Sequence, residues 1–100
     1  RDFIYVKDIV GALAFLAETP GAGGVFNAGY GESTSILDLA KLIVERTATR
    51  SRIEHAAERS GDIRHSRASA ARLREAGWNP SHGFVRGLEE TIRFSERGTP

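Results

Sequence analysis

Residues 1–13 read R-D-F-I-Y-V-K-D-I-V-G-A-L, and the fold turns on how that run is divided. Asp2 to Val6 are largely aromatic and β-branched, the composition of a strand, with Phe3 and Tyr5 on one face by the period of two. Asp8 then stands as the N-cap of an amphipathic helix that carries Ile9, Leu13, Leu16 and Ala17 on its inner face and stops at Pro20-Gly21. A strand that leads directly into a helix is the first half of a β–α unit. The run starts on an arginine with no initiator Met before it, and the expectation is an internal strand cut from a longer chain.

The pattern then repeats. G-V-F-N-A-G at 24–29 is a second short strand and Y-G-E-S-T at 30–34 a turn. Ser35 caps a helix whose Ile36, Leu39, Ala40, Ile43 and Val44 follow the helical period, with Asp38 favouring its first turn. R-I-E-H-A at 52–56 is a weaker third strand, and 57–66 a loop. A short helix follows, with Ser69 as its cap and Gly77 beyond its end. A W-N-P connector leads to a last helix capped by Ser81, with Phe84, Val85, Leu88 and Ile92 inward. The order βαβαβαα predicts an α/β fold of parallel strands and helical crossovers, with residues 1–100 as one unit. Three strands are few, because a parallel sheet needs helices on both faces and neighbours for its edges. Such a lobe completes something larger.

Composition narrows the classes. The chain has 100 residues, 40% hydrophobic, which is enough for one modest core. It has no cysteine, so disulfides and thiolate metal sites are excluded. The longest apolar stretch, residues 9–17, is too short to span a bilayer, and the expectation is a cytoplasmic protein with no membrane partner. Net charge is +1, but residues 46–74 carry eight arginines against three acids, a local +5. Forked guanidinium groups suit phosphate and carboxylate, and a solvated arginine-rich face is the plain alternative. A nucleic-acid binder needs basic residues along one recognition helix, and here they spread over loop and helix alike.

No nucleophile–base pair or metal-ligand spacing is legible. His55, His65 and His82 are scattered and read as surface or packing residues. Glu89-Glu90 lies near Arg86 and Arg93 in ordinary surface pairing. The glycines of 21–24 and 29–31 do not form a G-x-G-x-x-G between strand and helix, and serve turns. Two places suit binding. Arg1 stands at the entrance of the first strand with Phe3 two residues on. In R-S-G-D, Arg59 to Asp62, the arginine suits a phosphate and the carboxylate suits ribose hydroxyls; the plainer reading of the pattern alone is that the two side chains pair with each other around a glycine turn.

Taken together, R-D-F-I-Y-V-K-D-I-V-G-A-L, G-V-F-N-A-G-Y-G-E-S-T-S-I-L-D-L-A-K-L-I, R-S-G-D-I-R-H-S-R-A-S and L-R-E-A-G-W-N-P-S-H-G-F-V-R-G-L-E-E-T-I resemble one family in order and spacing. It is the C-terminal portion of the NAD-dependent epimerase/dehydratase family, the extended short-chain dehydrogenases typified by UDP-glucose 4-epimerase. The resemblance implies that Arg1 and Arg59 bind the diphosphate of a UDP- or dTDP-sugar, that Phe3 lies near the nucleotide, and that Asp62 accepts from the ribose. It implies that Trp78 packs the last helices. It places the NAD fingerprint and the Tyr-x-x-x-Lys catalytic pair upstream, on an N-terminal Rossmann domain, in an enzyme that commonly forms homodimers. Neither tyrosine here has a lysine four residues on, since Ile9 follows Tyr5 and Thr34 follows Tyr30 at that spacing. No catalytic residue is expected in this chain. A free-standing noncatalytic domain that binds nucleotides or a partner is the alternative.

Overall fold

The computed structural model describes residues 1–62 and 65–98. Its elements are four helices: α1 (Val6–Glu18), α2 (Ile36–Thr47), α3 (Ala71–Ala76) and α4 (Phe84–Arg97). They fall at the helical positions of the βαβαβαα pattern, but no strand occurs among the described residues, against the three expected. The physical reason is partnership. A strand exists only as one side of a hydrogen-bonded ladder, and here the backbone groups find other partners. Arg1 and Thr34 exchange two bonds, each 2.9 Å. Tyr5 N–H donates to the Tyr30 hydroxyl at 3.2 Å, and Val25 carbonyl accepts from Arg72 at 2.8 Å. Residues 52–56 are exposed throughout.

Three helix starts differ from expectation. Tyr5, not Asp8, is the N-cap of α1, and Asp8 sits buried in its first turn. The N-cap of α3 is Ala70 rather than Ser69, and α4 starts behind Gly83 rather than at Ser81. Ser35 does cap α2, accepting from Asp38 N–H at 3.0 Å. Gly77 ends α3 at φ +119°, donating to Arg74 carbonyl at 3.0 Å, while Trp78 N–H reaches Leu73 carbonyl at 3.2 Å. Only a residue tolerant of the left-handed region closes a helix this way.

The face of α1 is rotated from the expected one. Asp8 and Ala12 are buried with Phe15 and Leu16 half-covered, whereas Val6, Val10 and Leu13 are 65%, 56% and 64% exposed. This helix is apolar nearly all round, so its periodicity does not say which side faces in. The core gathers Ala12, Ala70, Leu73 and Trp78, flanked by Ile4, Phe15, Leu16, Phe26 and Ala28. Trp78 is 3% exposed there, a packing residue as expected. α2 contributes no buried residue and rests on α4.

The resulting shape is open. The radius of gyration is 16.2 Å, against about 13 Å for a closed domain of this length. The accessible surface is 7704 Å², against about 5,600 Å² for a free-standing globule of this mass.

Candidate functional site

The four residues singled out for nucleotide binding lie in two settings. Arg1 is exposed, with its backbone fixed to Thr34. Phe3 is half-buried with its ring 6.3 Å from that of Phe84, beside Leu39, Ile43 and Leu88 in a cleft of about 230 Å³. Arg59 and Asp62 are brought together with each other: Nε lies 3.6 Å from Oδ2, and Asp62 N–H donates to Arg59 carbonyl at 3.2 Å across Gly61, whose φ is +85°. Both side chains are exposed. An exposed pair of this kind contributes about 0–1 kcal/mol, so an anion of higher charge could take the arginine at little loss. Ile63 and Arg64 of the same stretch lie outside the described residues.

Two carboxylates organise the surroundings of these residues, and neither was picked out for this role from the sequence. Asp2 Oδ1 accepts from Tyr30 N–H at 3.2 Å, and Oδ2 accepts from Gly31 N–H at 2.9 Å and Ala68 N–H at 3.4 Å. Asp8, 1% exposed, accepts from the Tyr30 hydroxyl at 2.5 Å, from the N–H groups of Ser81, His82 and Gly83 at 3.0, 3.2 and 3.1 Å, and from the Ser81 hydroxyl at 3.3 Å. His82 Nδ1 adds a sixth contact at 3.1 Å. Burial pushes the Asp8 carboxyl up, but the bonds from Tyr30, His82 and Gly83 outweigh it and hold the group at about 2. The same burial, with the bond to Asp8, pushes the Tyr30 phenol up to about 12.

Asp8 thus caps α4 from another helix. The N–H groups leading into α4 have no capping side chain of their own, and an ionised carboxylate there also suits the positive end of the helix dipole. A local rule can find an acid near its own helix start. It cannot find one serving a helix more than seventy residues away; the only sequence signal was a charged residue inside an apolar run. His82, read as a packing residue, packs edge-on to Tyr5 with ring centroids 5.0 Å apart.

Part of the arginine excess is structural. Arg72 stacks over Phe26 at 4.7 Å and donates to the carbonyls of Val25 and Gly23. Arg74 donates to Tyr30 carbonyl at 3.2 Å. Each of the two thus has a structural role in holding loop backbone.

The glycines of 21–24 do not fit a dinucleotide. They follow the C-terminal end of α1, with Gly21 and Gly24 in the left-handed region, and that end of a helix repels phosphate. Among the described residues no group of three or more His, Asp or Glu is placed to hold a metal, and no helix is long and apolar enough to cross a membrane.

What remains is two exposed arginines, Arg1 and Arg59, with Asp62 beside the second, on a lobe pinned by the carboxylates of Asp2 and Asp8, and comparison with known proteins gives that set its context. The chain belongs to the NAD-dependent epimerase/dehydratase family. It is 36% identical over 92 residues to dTDP-L-rhamnose 4-epimerase of Burkholderia thailandensis, covering 90% of this chain and 25% of that protein. It is 34% identical over 95 residues to UDP-glucose 4-epimerase of Mycolicibacterium smegmatis, covering 94% and 30%. A dTDP-glucose 4,6-dehydratase of Salmonella typhimurium is 29% identical over 103 residues, with 94% and 28% covered. Among solved structures, the UDP-glucose 4-epimerase of Thermotoga maritima with UDP-glucose superposes with a TM-score of 0.88 at 33% identity, over 97% of this chain and 31% of that one. No family model matches the chain. The chain spans between a quarter and a third of the length of these relatives.

Proposed function

We propose that this chain holds the nucleoside diphosphate of a UDP- or dTDP-sugar within an NAD-dependent epimerase or dehydratase. The observation that carries the proposal is the likeness, over 97% of the chain, to a UDP-glucose 4-epimerase solved with UDP-glucose. Arg1 and Arg59 take the diphosphate, where charge-assisted, bidentate bonds give both strength and geometry. Asp62, released from Arg59, accepts from the ribose hydroxyls, and Phe3 supports the nucleotide from the apolar side. None of these groups changes a bond. They fix the sugar's position, which by itself supplies a large part of a catalytic advantage.

In this proposal the dinucleotide and the acid–base residues belong to an N-terminal Rossmann domain of the same protein. That domain supplies strand partners to residues 2–6 and 24–29 and covers the outer side of α1. The whole enzyme acts as a cytoplasmic homodimer without nucleic acid or membrane. The test is Arg59→Ala in the full-length protein. Loss of a charged hydrogen bond worth about 1.5–3 kcal/mol raises KM for the sugar nucleotide by roughly ten- to a hundredfold and leaves bound NAD unchanged. An unaltered KM would remove Arg59 from the substrate site.

A further inference from the structure

Asp2 lies between two of the proposed substrate contacts, Arg1 and Phe3, yet its own carboxylate is turned onto backbone amides. Its three donors, Tyr30, Gly31 and Ala68, are 28, 29 and 66 residues away in sequence. Tyr30 and Gly31 form the turn before α2. Ala68 follows Asp62 by six residues in the sequence. A single carboxylate therefore ties the chain bearing Arg1 and Phe3 to the turn before α2 and to Ala68, six residues after Asp62 in the sequence.

Gly29 makes this junction possible. A Cβ built there would lie 2.8 Å from Asp2 Oδ2 and 2.9 Å from the Ala68 Cβ, separations that real Cβ contacts do not reach. The three segments close on a position where only hydrogen fits. Asp2 is not a member of the apolar core, and its partners among the described residues are loop amides. What it sets is the relation of loops to one another rather than the packing of helices.

We propose that Asp2, seated against Gly29, is a positioning residue for the nucleotide: its carboxylate fixes the spacing of the two arms that close on the diphosphate. The inference rests on the assignment of Arg1, Phe3, Arg59 and Asp62 as substrate contacts. Asparagine at this position keeps the shape but replaces one acceptor oxygen by a donor that faces further donors. Alanine at Gly29 wedges the same junction apart from the other side.

The experiment uses the full-length protein with UDP as the calorimetric probe. Asp2→Asn and Gly29→Ala each weaken UDP binding by about tenfold, and the double variant is no weaker than either alone, because both open one junction. In turnover, KM for the sugar nucleotide rises while kcat and bound NAD stay at wild-type values, a split that a general loss of fold would not give. Because a variant could fail to fold, amide hydrogen exchange is also measured on the wild type, where UDP slows exchange at Tyr30, Gly31 and Ala68. A folded Asp2→Asn protein that binds UDP as the wild type does, or exchange at those amides that ignores UDP, overturns the positioning role alone. A wild-type protein that does not bind UDP overturns the substrate assignment and this inference with it.

Discussion

Asp8→Asn replaces one carboxylate oxygen by an amide where α1, Tyr30 and the entry to α4 meet. Oδ1 accepts from Ser81 and His82, and Oδ2 from Tyr30 and Gly83. Whichever way the new amide turns, its NH₂ faces donors, and a backbone N–H loses its acceptor in a site that water does not reach. Each buried donor left unpaired costs about 1–3 kcal/mol. The Tyr30 hydroxyl can rotate to recover part of this, which leaves a net destabilisation of about 3 kcal/mol at neutral pH.

The pH dependence supplies an independent check. The Asp8 carboxyl falls from 3.8 to about 2 on folding, and at about 1.4 kcal/mol per pH unit this is worth about 2 kcal/mol. The folded state binds the proton less tightly than the unfolded state. Its contribution is therefore complete above the unfolded value and is lost as pH falls from about 5 to about 2. Asparagine has no such proton, so the gap between wild type and variant should shrink by about 2 kcal/mol between neutral pH and pH ~2. Urea unfolding of the 100-residue chain, followed by the fluorescence of buried Trp78, measures both numbers. A variant within about 0.5 kcal/mol of wild type at neutral pH, or a gap that does not narrow in acid, would refute the capping role.

Gly87 in α4 is a position where the usual rule should reverse. Alanine in a helix interior normally stabilises by about 1 kcal/mol over glycine, but here its Cβ would meet the Tyr5 Cβ at 2.5 Å, so Gly87→Ala should destabilise by about 1–3 kcal/mol in the same urea assay. Stabilisation would show that α4 does not press on Tyr5. Leu73 and Leu13 form a contrasting pair: Leu73→Ala, at a site 1% exposed, should cost about 2–5 kcal/mol. Leu13→Ala should cost under about 0.5 kcal/mol in the 100-residue chain and substantially more in the full-length protein, where the proposed Rossmann domain covers α1. Equal costs for the two leucines in the short chain would restore the α1 face expected from periodicity.

What the sequence made legible was what short-range rules govern. Ser35 and Gly77 act on backbone groups within four residues, so their roles could be read from neighbours alone. The helical segments survived for the same reason. The strands did not, because a strand is a relation between two segments, and the side-chain preferences of residues 2–6 or 24–29 say nothing of whether a partner is present. Asp8 failed in the opposite sense: its residue type was read correctly as a cap, but for the wrong helix. The proposed nucleotide contacts were singled out by residue chemistry and given their roles by resemblance of motifs. The bare R-S-G-D pattern favoured the mutual pair over a ligand grip, and the structure shows the mutual pair.

The two faces of α1 bear on why so open a chain keeps a defined shape. Its inner side is fixed by a carboxylate with six contacts and by a small apolar core. Its outer side presents Val6, Val10 and Leu13 to solvent, one turn apart. Apolar burial alone is non-directional, and with so much apolar surface uncovered it would permit many arrangements of these helices. The directional bonds to Asp2 and Asp8 select one of them. The helix can then offer a bare apolar stripe without collapsing onto its own loops, and a stripe of that kind is what the proposed Rossmann domain would bury. On this argument the polar nodes hold the lobe in a form ready to receive the proposed Rossmann domain and the proposed nucleotide. Neutralising Asp8 should accordingly weaken packing against the proposed domain before it melts the helices.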